Sequence, residues 1–204
     1  NLTAGTSTRA DNQGFNFPTV DTVRADVYLQ DEIKLLDGRL TLTPGVRLAH
    51  YSIDPTEDTD YVPLPGFEPH KIDQTKLIKR LGAIYELNDT FSLYAGYGEG
   101  FKMPTSQQLF VSSLSIGSTG FVEVIPNPNL RPEFVRNYEI GIRGELDRGY
   151  LSLTGFHADY KDFIRSLQPV PGPTERYTSD NVEDVKVWGV EFGGEYEIFD
   201  NFIL

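Results

Sequence analysis

Trp188-Gly189-Val190-Glu191-Phe192-Gly193-Gly194-Glu195-Tyr196-Glu197-Ile198 puts its large apolar side chains at even numbers and its carboxylates at odd ones. A period of two marks a β-strand with one apolar and one polar face. The same pattern recurs outward from this stretch. Tyr138, Ile140, Ile142 and Leu146 alternate with Glu139, Arg143 and Glu145. Phe91, Leu93, Ala95 and Tyr97 alternate with Ser92, Tyr94 and Gly96. Leu40, Leu42, Val46 and Leu48 oppose Thr41, Thr43 and Arg47. Between Thr22 and Leu35, Val23, Ala25, Val27, Leu29, Ile33 and Leu35 share a face against Arg24, Asp26, Tyr28, Gln30 and Lys34, with Asp31 intruding on the apolar set. These runs predict strands of roughly 10 to 15 residues, longer than the ~5–6 common in soluble proteins. No helical period stands out.

The connections alternate in length. Leu36-Asp37-Gly38-Arg39, Asn88-Asp89, Asp147-Arg148-Gly149 and Asp200-Asn201 are made of hairpin-turn residues. Between them lie long, Pro-, Gly-, Ser- and Asp-rich segments, about Asp54 to Asp73, Gly100 to Arg131 and Arg165 to Asp184. Long strands with one charged face, joined by alternating short and long turns, describe a transmembrane barrel. In lipid every backbone group must be paired within the protein, so only helices or closed barrels can cross it. The predicted fold is therefore all-β, a transmembrane antiparallel up-and-down barrel with the four short turns on one rim. Val190, Phe192 and Ile198 would then face lipid, and Glu191, Glu195 and Glu197 the lumen. Strands starting near Val20, Leu40, Thr75, Thr90, Val135, Tyr150, Val185 and Phe202 make about eight. The last is cut off at Leu204, so residues 1–204 are expected to be part of a larger barrel domain.

Composition excludes several chemistries. The chain has 204 residues, 18 Lys and Arg against 30 Asp and Glu, and a net charge of −12. That acidity argues against nucleic acid as a partner, because phosphate binding needs clustered cations. No cysteine is present, so disulfides, thiolate metal sites and cysteine nucleophiles are ruled out. There is no nucleophile elbow, phosphate-cradling glycine loop or His-Glu-x-x-His zinc motif, and enzymatic activity is not expected.

Two further stretches are more specific. Gly96-Tyr97-Gly98-Glu99-Gly100-Phe101-Lys102-Met103-Pro104 resembles the GYxxGFRAP strand end of TonB-dependent outer-membrane receptors. Pro126-Asn127-Pro128-Asn129-Leu130-Arg131-Pro132-Glu133, followed by Asn137-Tyr138-Glu139-Ile140-Gly141, resembles their NPNLKPE…YELG segment. Arg24 to Glu32, Leu42 to Arg47, Phe156 to Ile164 and Trp188 to Glu191 look like other strands of the same family, in order. The pairing of the first two boxes resembles the haem, haemoglobin, transferrin and lactoferrin receptor branch. The interval from Met103 to Pro126 holds no histidine, so the resemblance assigns no axial haem ligand to this loop.

What the resemblance implies is a receptor in the outer membrane of a Gram-negative bacterium, a barrel of roughly 22 strands filled by a plug. The plug and the remaining strands would lie outside residues 1–204. The expected cargo is haem or a haemoprotein-derived ligand, with a ferric siderophore as the alternative within the class. A non-transport adhesion or structural barrel is the rival from another class. The expected partners are outer-membrane lipid, the TonB energy-coupling system acting through the plug, and the iron-bearing ligand itself. No resident cofactor is expected; haem or a ferric chelate would be cargo.

Ligand contact is expected in the long outer loop after Phe101, with Phe101, Met103, Gln107, Phe110 and His70 as candidates. Gly100, Phe101, Pro104, Asn127, Pro128, Asn129, Leu130, Pro132 and Glu133 carry the family motifs. Met103 is a thioether whose place in the first box also suits packing. Imidazole ligates haem and metals well, which brings in His50, His70 and His157. Asp54, Glu57, Asp58 and Asp60 form an acidic run of hard oxygen ligands suited to calcium, but it lacks the EF-hand order and its glycine, which favours a solvated acidic loop. Tyr97, Phe101, Tyr160, Phe163 and Trp188 suit either ligand stacking or an interfacial aromatic girdle.

Overall fold

A computed structural model describes residues 18–56, 61, 63–64, 66–117, 120–172, 175–182, 184–199 and 202–203. The alternating runs become long strands: β1 (Val20–Gln30), β3 (Leu40–Pro55), β4 (Ile72–Glu86), β5 (Phe91–Lys102), β8 (Glu133–Leu146), β9 (Gly149–Lys161) and β12 (Val185–Phe199). With β13 (Phe202–Ile203) they pair antiparallel in the order β1-β3-β4-β5-β8-β9-β12-β13. The short β2 (Ile33–Leu35) pairs with β3 beside β1. Asp31 does not stand on a strand face. It falls in the break between β1 and β2, where its backbone N–H donates to Pro44 O at 3.1 Å.

Each long strand reverses into the next, so the short turns at 36–39, 87–90 and 147–148 share one rim. Hydrogen bonds link them in series: Glu86 N to Arg39 O, Glu145 N to Thr90 O and Glu197 N to Arg148 O, each 2.8 Å. The fourth expected turn, Asp200-Asn201, lies outside the described residues. Turn chemistry matches its task. Leu36, Asp37 and Gly38 all adopt positive φ (55°, 56° and 92°), the left-handed conformation a tight hairpin needs. At Gly149 the constraint is steric: a Cβ there would sit 2.0 Å from Glu195 O of the neighbouring strand. Gly149→Ala should therefore lower stability by about 1–3 kcal/mol, read as a fall in the urea midpoint of the full-length protein in lipid vesicles. An unchanged midpoint would contradict this.

Register settles the two faces, because directly paired residues point the same way. One row runs Ala95–Ile140–Gly155–Val190, and the next Leu93–Ile142–Leu153–Phe192. Val190 and Phe192 are 71% and 77% exposed, far too much for apolar groups destined for water. The row above them is aromatic: Tyr97–Tyr138–His157–Trp188, with ring centroids 5.2 Å apart for Tyr97–Tyr138 and 6.3 Å for Tyr138–His157. Between that row and the short-turn rim, no charged side chain stands on this face from β4 to β12. Within that span charge is confined to the opposite face, with Arg80, Glu139, Arg143, Glu145, Glu191 and Glu195. Arg80, Tyr94, Asn137, Glu139, Arg143 and Ser152 line one hollow on that side. The wall thus has an apolar outside and a polar inside, as a lipid-embedded barrel requires.

Five elements outside the alternating runs were not foreseen. They are the helix α1 (Ser106–Phe110) and the strands β6 (Ser113–Gly117), β7 (Gly120–Val124), β10 (Ile164–Val170) and β11 (Glu175–Asn181). All belong to the long connections, on the rim opposite the short turns.

Candidate functional site: the outer-rim platform

Beyond the end of β5 the chain leaves the wall and turns into α1. Thr105 caps this helix: its Oγ1 accepts from Gln108 N at 3.2 Å, and Gln108 Oε1 accepts from Thr105 N at 3.0 Å. This reciprocal capping box satisfies two orphan donors at a helix start. It aims Leu109 and Phe110 inward, and both are fully buried. They join Ile53, Met103, Leu130 and Ile164 in one apolar cluster, with Val20, Tyr51, Ile72 and Phe101 packed around it. Phe101 meets Tyr51 edge-on at 5.2 Å. Tyr61 reaches the cluster from the Asp54–Asp73 connection and donates its hydroxyl to Phe110 O at 3.3 Å; burial raises the pKa of its phenol.

The second motif box ties the two longest loops together. Asn127 Nδ2 donates to Ser179 O at 3.0 Å, while its Oδ1 accepts from Asn129 N at 3.2 Å and fixes the turn. Arg131 N donates to Asn181 Oδ1 at 2.8 Å, and Asn181 Nδ2 returns bonds to Arg131 O and Asp162 O at 2.9 and 2.6 Å. The Arg131 guanidinium also pairs with Asp162 at 2.5 Å, which raises its already high pKa. Glu133, only 9% exposed, accepts from Ile164 N at 2.8 Å and faces Lys102 Nζ at 3.3 Å. Pro104 and Pro126 are fully buried, and Pro128 is buried beside them.

These ties assemble a second sheet above the rim, in the order β10-β11-β7-β6. Its centre is the parallel pair β11–β7, strands from two different loops, with Glu175 opposite Val122. Arg176 Nε and Glu123 Oε2 bridge them at 2.6 Å. On β11 the Tyr177 hydroxyl donates to Glu175 at 2.6 Å, and that bond raises the Tyr177 pKa. The phenol should therefore ionise later than an ordinary tyrosine in an ultraviolet pH titration. Glu175→Gln should bring it back down; a titration curve unaltered by that change would refute the assignment.

The candidates from sequence separate cleanly here. Met103 and Phe110 are consumed by the buried cluster, and Leu130, Pro104 and Pro128 are likewise packing residues. Phe101 is half-buried against Tyr51, Gly100 packs near Val135, and Pro132 is half-buried beside Glu133. Gln107, Asn129 and His70 are exposed. His70 adjoins Pro128, Asn129 and Leu130 across a shallow depression. His50 and His157 stand on the apolar outer face of the wall, His50 Nδ1 bonded to Thr75 Oγ1 at 2.9 Å and His157 beside Tyr138. Asp54 pairs with Lys71 at 3.7 Å; Glu57, Asp58 and Asp60 lie outside the described residues. No group of three or more His, Asp or Glu is placed to hold a metal among the described residues. The reading from sequence missed Asn181 and Asp162. Asn181 offers no local signal, because its partners lie 50 and 19 residues away.

The family model for the TonB dependent receptor-like β-barrel matches residues 1–204. The chain belongs to that family. Among the curated proteins, the receptor segment is 28% identical to heme/hemopexin utilization protein C of Haemophilus influenzae, covering 84% of this chain and 25% of that protein. It is 26% identical to the hemin receptor of Yersinia pestis, covering 96% of this chain and 30% of that protein. Among solved structures it matches the Serratia marcescens hemophore receptor HasR, determined with its hemophore HasA and heme, at a TM-score of 0.72 and 20% identity. That match covers 93% of this chain and 34% of HasR. The receptor segment thus spans about a quarter to a third of the length of these relatives.

Proposed function

We propose that this segment belongs to a TonB-dependent outer-membrane receptor that takes up haem or a haemoprotein-derived ligand, and that its outer-rim platform takes part in capture. The observation that most supports this is the fusion of the two longest outer loops into one hydrogen-bonded sheet by residues of the second motif box. Binding loops work when a rigid scaffold presents them. The relatives named for heme or hemin support the choice of cargo. In the complete receptor, uptake would be driven by TonB acting through the plug, with the polar face of this wall turned towards it. Residues 1–204 are one piece of the barrel domain in this reading.

A ferric siderophore is the second reading. It is favoured by the absence of histidine between Met103 and Pro126 and by the placing of His50 and His157 on the apolar outer face. The test is growth of an iron-starved Gram-negative host carrying the full-length receptor, supplied with haem, haemoglobin or a ferric catecholate as sole iron source. Growth on haem or haemoglobin is expected, and deletion of Ser112 to Gly120 should abolish it while membrane insertion persists. Growth on the catecholate alone would replace the haem reading with the second one. Normal growth of the deletion strain would remove the platform from capture.

A further inference from the structure

One residue of the outer-rim platform is anomalous twice over. Leu167 has a φ of 55°, in the left-handed region that a bulky side chain rarely enters, and it is 62% exposed. Every other Leu, Ile, Val, Phe, Tyr and Met whose side chain is described in the outer connections is buried or half-buried. The conformation is held in place by its neighbours. Arg165 faces Asp180 and Gln168 faces Thr178, so Ser166 and Leu167 together oppose Ser179 in a bulge. Gln168 Nε2 reaches back past Leu167 to donate to Ser166 O at 3.1 Å, and Ser179 Oγ lies 3.5 Å from Ser166 Oγ. Bulges re-aim a side chain, and glycine would take the left-handed position freely. Leucine stands there instead, turned out to water. Strain that is held by its surroundings clusters at sites that bind or switch.

Leu167 is not alone on this surface. Pro169 and Pro171, two and four residues on, are exposed as well, and both are rigid. Pro169 withholds a main-chain N–H and the bulge breaks the edge, so β10, the outermost strand of its sheet, resists strand addition. Recognition there falls to side chains. Arg165 and Asp180, both exposed and directly opposite each other across β10 and β11, give the apolar residues a polar border, the make-up of a protein-contact patch. None of these residues is an imidazole, thioether or thiol, so the patch offers haem no axial ligand. Its strand rises from the lumen side of the wall, not from the lipid face. β10 starts at Ile164, buried in the cluster with Ile53 and beside Ile72, two residues whose register sets them on the same side as Arg47 and Arg80. We infer that Leu167, with Pro169 and Pro171, is the anchor by which the platform docks a polypeptide, the protein that carries the haem, through an apolar pocket on that protein. The inference rests on the haemoprotein reading of the cargo.

Haemoglobin binding to the full-length receptor in detergent, measured by surface plasmon resonance beside growth on free haem, tests it. Leu167→Gly suits the left-handed backbone and deletes only the side chain. It should weaken haemoglobin binding by about tenfold and leave growth on free haem unchanged. Hydrogen-exchange protection of β10 and β11 should persist in that variant, because the bulge no longer opposes its residue. Leu167→Met, similar in bulk, should bind haemoglobin as the unaltered receptor does. Equal haemoglobin binding by Leu167→Gly and the unaltered receptor would overturn the anchor. So would a loss of binding accompanied by lost protection in β10 and β11, which would make Leu167 a packing residue. An unaltered receptor that supports growth on haem but binds no haemoglobin would overturn the anchor and leave the haem reading intact. Growth on a ferric catecholate alone would remove that reading and the anchor with it.

Discussion

Val190→Arg is expected to destabilise the receptor in lipid by about 2–4 kcal/mol, the cost of a cation on the lipid face near the bilayer midplane. Val190 lies one register row below the aromatic Trp188, is 71% exposed, and has only apolar neighbours in its row. Glu191→Arg, one residue away, should cost far less, because the alternation turns that position to the polar face beside Thr154. Unfolding of both variants from lipid vesicles by urea measures the contrast. Equal midpoints for the two would mean that the faces are assigned wrongly, however well the strands pair.

A loss of about 2–3 kcal/mol in the stability of the platform is expected for Glu133→Ala. Its carboxylate is the acceptor for the N–H of Ile164, a residue only 6% exposed. Stranding a buried donor costs ~1–3 kcal/mol. The Lys102 pair adds little, since the lysine side chain is 62% exposed and such pairs are worth ~0–1 kcal/mol. Glu133→Gln keeps an oxygen at the same place and should recover most of the loss. Hydrogen exchange of the peptide containing Ile164, in the full receptor, reads this directly. Protection that is unchanged in the alanine variant, or lost equally in both, would show that Glu133 does not hold the two loops together.

The wall was legible from sequence because lipid imposes a rule on every second residue. A strand such as β12 must show it from Trp188 to Ile198, and turns such as Asp147-Arg148-Gly149 must be short where they are. Even the fate of His157 was readable: it shares parity with Leu153 and Gly155, which places it outside the lumen. The platform obeys no such rule. β7 and β11 pair in parallel across 53 residues, for example Arg176 with Glu123, and neither strand repeats a pattern that anticipates the other. The helix was the exception. Thr105 and Gln108 spell a capping box, a signal present in the sequence and passed over because α1 is too short for any period to emerge. The candidate site was legible as a place, the outer loops, and not as a set of contacts. Met103 and Phe110 resemble ligand groups by type, and only packing reveals that the apolar cluster occupies them.

Three of the side chains that hold the platform address the main chain of their partners. Asn127 binds the carbonyl of position 179, Asn181 the amide and carbonyl of position 131, and Glu133 the amide of position 164. Peptide groups are common to all residues, so the identity of the side chain at 179 or 164 is irrelevant to the bond. A frame fastened in this way tolerates rapid turnover of the sequence displayed on it. Asn127, Asn181 and Glu133 are then fasteners that do not read the side chains of the residues they hold, unlike the side-chain pairs Arg131–Asp162 and Arg176–Glu123.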